Sequence, residues 1–419
     1  MNVTFAGEGS GTAPLTWGQS AIWDAVQRTA PDDHYFNFGR VLRVPGSPSP
    51  EDVAAALGWL IERHGALRTR LDSGGDQRLY PGGSLPLLVT DADPDDVLAE
   101  LAATRFDYRH EWPLRVAAIV DGATVTHVVL VFCHLAADGA GAEVAIRDLR
   151  MFLLRGRLVG PAAPQALHLA RWQAGAEGRR VAEAAAEHWE REGRRMPTTM
   201  FDHAGPAADP PIWRALLRSP ALGLAVRQVA RTHATSTSTV LLTAVARLAA
   251  EVEDRETAAV LPIVSNRFRR DTIGLVSTLS MEGLFTLDVD RPFPDLLRAA
   301  GPAALRAYRS AYHDPADRAR VVQAESERRG AEVHPRCCFN DMRFADPGPK
   351  ECTAEELDKA LAETDLAWPM SQDKLNCRFC VHVTTEGVSL TADTRYLPRT
   401  RMEQYLLDLE TLLVAEARR

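Results

Sequence analysis

The stretch PLRVAAIVDGATVTHVVLVFCH, residues 113–134, limits the possible fold more than any other part of the chain. Two β-rich runs are joined at Asp121-Gly122, a dipeptide that readily adopts the positive φ angles of a tight hairpin turn. The second run, VVLVF, is continuously apolar, which suits a strand covered on both faces in the interior of a sheet. After His134 the pattern changes: LAADG is a short connection, and AGAEVAIRDLRMFLL has helical spacing. Strand, loop and helix in this order predict an α/β fold with a histidine where a strand gives way to a loop.

The rest of the chain repeats these signals. LTWGQSAIWDAVQ and SPEDVAAALGWLIERHG read as amphipathic helices, the second with a Ser-Pro entry and acidic residues in its first turn, and YFNFGRVLRV between them reads as a strand. Residues 155–175 are rich in Gly, Pro and Ala with little periodicity, which marks a boundary. Beyond it come helices around VAEAAAEHWEREG, ALGLAVRQVARTH and TSTVLLTAVARLAAEV, strands TAAVLPIVSN and GLFTLDVD, and helix FPDLLRAAGPAALRAYRSA. A hairpin of KLNCRFCVHV with GVSLTADTRY and a last helix TRMEQYLLDLETLLVAEA close the chain. The reading is two α/β lobes, 1–170 carrying CHLAADG and 171–419, without a close sequence repeat between them.

Composition excludes several function classes. The 419 residues are 46% hydrophobic and 25% charged, an ordinary globular balance. Forty-eight basic against 56 acidic side chains, a net charge of -8, lack the surplus that phosphate backbones attract, so no nucleic-acid partner is expected. The N-terminus has no signal-peptide pattern and no apolar run approaches a membrane span, which leads to the expectation of a soluble cytoplasmic protein without membrane attachment. Six cysteines show no paired CxxC repeats, so no metal site is expected. Cys377 and Cys380 form one CxxC, but in a strand-like run positions three apart face opposite ways, and both read as buried free thiols.

In the same way Cys133 and His134 point to opposite faces of an extended segment and cannot form a thiol-imidazole pair. Asp138 is placed to cap the following helix or to meet an arginine from elsewhere in the fold, while Gly139 and Gly141 allow close backbone approach. On these residues alone, a structural turn and a functional histidine both remain open.

Several stretches together resemble the condensation-domain superfamily of nonribosomal peptide synthetases and related acyltransferases. CHLAADG is similar to its HHxxxDG signature, with Cys133 in place of the first histidine. ERHGALRTRL resembles RHxxLRT through Arg63, His64, Leu67, Arg68 and Thr69, and LTWGQSAIW keeps Gln19 and Trp23 of the opening motif. NRFRRDTIGLVSTL resembles the segment where an arginine precedes IGxFxNTL, matched at Arg267, Ile273, Gly274, Thr278 and Leu279, with Ser277 for asparagine. CCFNDMRF is similar to a strand ending in Phe-Asn, here Asn340, and residues 388–410 are close to the family's last strand and helix. The SRNPL-type motif is missing, and HxDxPFE is reduced to His313-Asp314.

This resemblance implies two chloramphenicol acetyltransferase-like lobes forming a V around a central tunnel. It implies transfer of an acyl group from the phosphopantetheine thioester of an acyl or peptidyl carrier protein to an amine, with no cofactor bound by the protein itself. His134 would accept the attacking group's proton or hydrogen-bond the tetrahedral intermediate, and the Gly139 N–H is a candidate oxyanion donor. Asp138 would pair with Arg267 and hold the loop, with Cys133 also structural at the site. Asn340 and Ser277 are placed by the resemblance toward the substrate, although Ser277 and the Arg63/His64 pair also read as architectural. With no adenylation or carrier domain beside these motifs, the chain is expected to work as a free-standing monomer on carrier-bound donors and on free or carrier-bound acceptors. Two other readings stay open: an acyltransferase that esterifies an alcohol, and a catalytically silent platform that docks a tailoring enzyme.

Overall fold

The computed structural model describes residues 1–156, 162–343, 345–374 and 377–419. Part of the boundary stretch (157–161), the last residue of CCFNDMRF and two residues of KLNCRFCVHV (375–376) lie outside the described residues. The chain divides into two compact units, Met1–Arg180 with Ser265–Ser280, and Val181–Val264 with Met281–Arg419. The division falls ten residues later than expected, and a segment from the second half of the sequence belongs to the first unit. Both units are α/β.

In the first unit a five-stranded sheet runs in the order Asn2–Ala6, Gly82–Thr90, Leu114–Asp121, Thr124–Phe132, Phe38–Arg43. The predicted hairpin sits at its centre, with Gly122 at φ +61° in the turn. The continuous apolar run is explained by burial on both faces. Val128, Leu130 and Phe132 pack in a core with helices Pro50–Arg63 and Gly139–Arg155, whereas Val129 meets Val97 of helix Pro94–Ala102 and Val131 packs with Cys133 and Phe106. Helix Pro50–Arg63 begins in a capping box, in which the Ser49 hydroxyl accepts from the Asp52 N–H and the Asp52 carboxylate accepts from the Ser49 N–H.

The second unit is built on an eight-stranded mixed sheet. Strands Thr257–Val264, Cys337–Asp341 and Phe379–Val383 are parallel, and Phe379–Val383, Val388–Asp393, Ile212–Arg218 and Asp365–Gln372 follow antiparallel. The strands alternate in character. Phe339, Phe379, Val381, Leu390, Ala392, Ala215 and Leu217 enter a large core with helices Pro220–Thr232, Thr237–Val252, Phe293–Ser310 and Arg399–Ala417. Cys338, Asn340, Cys380, His382, Ser389, Thr391 and Arg214 occupy the alternate positions. No helix among the described residues is long and apolar enough to cross a membrane.

The reading of both CxxC cysteines as free thiols is corrected. Cys380 is free and buried, but Cys377 is disulfide-bonded to Cys338. Strand geometry starts only at Phe379, so the alternation invoked for Cys377 does not extend to it.

His313, from the reduced HxDxPFE motif, is buried at 1% exposure against the edge of Trp189. Its Nδ1–H donates to the Ser310 carbonyl at 3.1 Å, and Nε2 is sealed without a partner. Burial, helped by the Arg318 charge, lowers its pKa from 6.5 to about 3. The unfolded chain therefore binds this proton at higher pH than the fold does, so stability is full above the unfolded value of 6.5 and is lost as pH falls toward about 3. His313→Phe is expected to flatten the dependence of the unfolding midpoint on pH across that window, measured by urea titration at a series of pH values.

Candidate functional site

The loop between strand Thr124–Phe132 and helix Gly139–Arg155 carries the candidate site, and its geometry is set by Asp138. This residue is the N-cap of the helix: its Oδ1 accepts from the Gly141 N–H at 2.8 Å. Its remaining capacity is taken by the segment Ser265–Ser280. Arg267 donates through Nη2 to Oδ1 at 2.7 Å and through Nη1 to Oδ2 at 2.9 Å, a bidentate pair. Oδ2 also accepts from the backbone N–H of Leu279 and of Ser280, each at 2.9 Å, and from the Ser280 hydroxyl at 2.8 Å. Burial pushes the Asp138 carboxyl up, but the Arg267 charge and these hydrogen bonds outweigh it and hold the pKa below the usual carboxylate range. The side chain is buried, ionised and fully engaged by these donors.

The close fit leaves no room for side chains at two glycines. A Cβ on Gly141 would come to 2.9 Å from the Ser277 carbonyl oxygen, and one on Gly18 to 2.3 Å from the Thr278 carbonyl oxygen. Helix Trp17–Thr29 thus abuts the same segment, and its Gln19 donates through Nε2 to the Leu135 carbonyl at 3.2 Å, fixing the loop from the other side. Arg63 and His64 act at the end of Pro50–Arg63 and just beyond it. Both meet Asp148 of helix Gly139–Arg155, at 2.9 and 3.0 Å, an architectural clamp.

His134 stands in this frame and remains partly exposed. The Thr278 hydroxyl donates to the His134 carbonyl, and Nδ1 lies 3.5 Å from Thr278 Oγ1. With the hydroxyl proton directed at the carbonyl, Nδ1 takes the donor role, which leaves the Nε2 lone pair uncommitted. The rings of Phe36 and Phe38 meet the imidazole edge-on, at 6.4 and 5.4 Å. Desolvation lowers the pKa of His134; a hydrogen bond to its own backbone and the Asp138 charge oppose this without reversing it. The ring is therefore a neutral base at pH 7. Burial pushes the Cys133 thiol up to about 12, and it packs with Phe106 and Leu71, so it supplies no nucleophile.

Gly139 is the first residue of its helix and partly exposed. Gly141 gives its N–H to Asp138, while the N–H groups of Gly139 and Ala140 have no acceptor among the described residues. They are the helix-terminal donors available to a developing negative charge. Ser277 is fully buried, its carbonyl accepting from Arg267 Nη2 at 3.1 Å and its hydroxyl without a hydrogen-bond partner among the described residues. Asn340 belongs to the second unit, on strand Cys337–Asp341 in register with His382. Sequence reasoning did not single out Phe36, Phe38 or Ser280. The two phenylalanines flank Asn37 within YFNFGRVLRV, and Ser280 directly follows the matched Thr278-Leu279 pair.

The Asp138–Arg267 pair generates a stability prediction. Asp138→Asn and Arg267→Met each strand one buried partner and are expected to cost about 3 to 5 kcal/mol. The double variant should lose clearly less than the sum. Denaturant unfolding of the four proteins checks this, and strict additivity would show the two side chains to be uncoupled.

Comparison with known proteins shows the family. The family model of the condensation domain matches residues 10–313. Among curated proteins, the antimetabolite synthetase AmbB of Pseudomonas aeruginosa is 32% identical over 214 residues, 47% of this chain and 16% of that protein. The probable nonribosomal peptide synthetase CymA of Salinispora arenicola is 33% identical over 139 residues, 32% of this chain and 2% of that protein. This chain thus spans only a small part of these curated relatives. Among solved structures, the condensation domain of the monacolin K polyketide synthase MokA superposes with a TM-score of 0.74 at 17% identity, covering 97% of this chain and 98% of that one. The X-domain from teicoplanin biosynthesis, solved in complex with OxyB, has a TM-score of 0.71 at 16% identity and covers 99% and 95%. With the family match spanning well over half of the residues, and the fold of solved condensation domains reproduced almost end to end, the chain belongs to the condensation-domain family.

Proposed function

We propose that this protein transfers an acyl group from the phosphopantetheine thioester of a carrier protein to an amine, forming an amide, with His134 as the residue that handles the proton. The observation that carries the reading is the state of the imidazole. It is partly exposed, neutral by desolvation, and oriented through Nδ1 so that Nε2 retains its lone pair.

A thioester carbonyl is already activated, so the protein's main contribution is to align donor and acceptor, which supplies about 7 to 11 kcal/mol when the geometry is right. His134 then either accepts the proton from the attacking nitrogen or hydrogen-bonds the tetrahedral intermediate. The Gly139 N–H, with that of Ala140, stabilises the developing oxyanion. Nothing in this scheme requires a cofactor bound by the protein. An alcohol acceptor would use the same groups and yield an ester.

A second reading, a docking platform without turnover, is favoured by Cys133 in place of the first signature histidine and by the likeness to the X-domain solved with OxyB.

The test is incubation with acyl-loaded carrier proteins and a panel of amines and alcohols, with products followed by mass. His134→Ala is expected to lower turnover about 10²- to 10⁴-fold; unchanged turnover would remove the imidazole from the chemistry, and carrier binding without any product would favour the platform. The lowered pKa adds a pH signature. Protonation disables the base, so kcat/KM, which reports the free protein, should fall only as pH drops below the ordinary histidine value of 6.5. That inflection should vanish from the residual activity of His134→Ala.

A further inference from the structure

The polar face of the sheet in the second unit holds a cation that no carboxylate balances among the described residues. Arg214 lies on strand Ile212–Arg218, half-buried, with Nε donating to Thr391 Oγ1 at 2.8 Å. Arg214 and Thr391 are register partners, as are Thr391 and Cys380, so these side chains share one face with His382 and Asn340. Among the described residues no carboxylate pairs with Arg214, and its two terminal nitrogens have no protein acceptor. Glu282, an acidic group whose charge bears on Cys380 of this face, is committed to Arg318 at 2.7 Å. Desolvation lowers the Arg214 pKa, and no carboxylate offsets it.

A second group points the same way. His382 Nδ1 is sealed from solvent without a hydrogen-bond partner among the described residues. Burial first, and then the Arg214 charge, lowers the ring's pKa to about 4, so it stays neutral and able to donate one hydrogen bond. A desolvated guanidinium without a counter-charge is costly. With Nε held by Thr391, the two terminal nitrogens form a fork matched to two oxygens of one anion. We propose that Arg214, oriented by Thr391 and assisted by His382, binds an oxyanion, and that this oxyanion is the carboxylate of a small molecule. The site stands on the geometry of the second unit alone.

The test is kept apart from turnover by using the His134→Ala protein. Calorimetric titration compares glycine, leucine and phenylalanine with their primary amides, and adds acetate and inorganic phosphate as minimal anions. The acids are expected to bind about ten- to a hundredfold more tightly than the amides. Arg214→Gln should abolish this preference, Arg214→Lys should keep part of it, and Thr391→Val, which frees Nε, should weaken it. Equal binding of acids and amides, no binding of any probe, or an unchanged preference in folded Arg214→Gln overturns the proposal. Should Arg214→Gln not fold, the acid-to-amide ratio of the parent protein and the Arg214→Lys titration still decide. Phosphate binding without carboxylate binding overturns the carboxylate assignment and leaves the oxyanion site. Acid-selective binding alongside an inactive parent enzyme would separate failure of the acyl-transfer reading from failure of this one.

Discussion

One carboxylate organises the loop that carries the candidate site. Asp138 caps a helix, pairs with Arg267 in two hydrogen bonds, and accepts from Leu279 and Ser280, so residues far apart in sequence meet at two oxygen atoms. Such a buried charge is tolerated only when every acceptor position is filled. The consequence is a rigid seat for His134, four residues earlier, whose carbonyl receives the Thr278 hydroxyl from the same segment. Positioning of this kind is what an acyl transfer between an activated thioester and a nucleophile most needs.

Burial then decides the chemical character of each side chain around that seat. Cys133 and His134 are neighbours, yet the thiol is packed among Phe106 and Leu71 and stays protonated, while the imidazole is held neutral and partly exposed between Phe36 and Phe38. The same principle shapes the second unit. Strand alternation there sends phenylalanines and leucines into one core and leaves Arg214, Thr391, His382 and Asn340 on the other face. A guanidinium on that face without a carboxylate among the described residues is a feature that packing alone does not account for.

Much of this was legible in the residues. The hairpin at Asp121-Gly122, the helix that follows Asp138, and the helices from Pro50 and Arg399 follow from periodicity, turn chemistry and capping. The Asp138–Arg267 pairing followed from resemblance. Strands Ile212–Arg218 and Asp365–Gln372 and helix Pro315–Arg329 were not foreseen, because their apolar residues are interrupted by charge or proline and only pairing in the sheet or packing on a core stabilises them. Cys377 was misjudged for a related reason: its neighbours look strand-like, yet the strand begins two residues later.

Local elements, helix caps and a histidine at the end of a buried strand are legible in the residues, since they depend on contacts a few positions apart. Folding alone brings Ser265–Ser280 into the first unit, seals Ser277, frames the imidazole with Phe36 and Phe38, and leaves Arg214 without a counter-charge among the described residues. Protonation states and unmet partners are set by desolvation and by neighbours distant along the chain, and those neighbours exist only once the chain has folded.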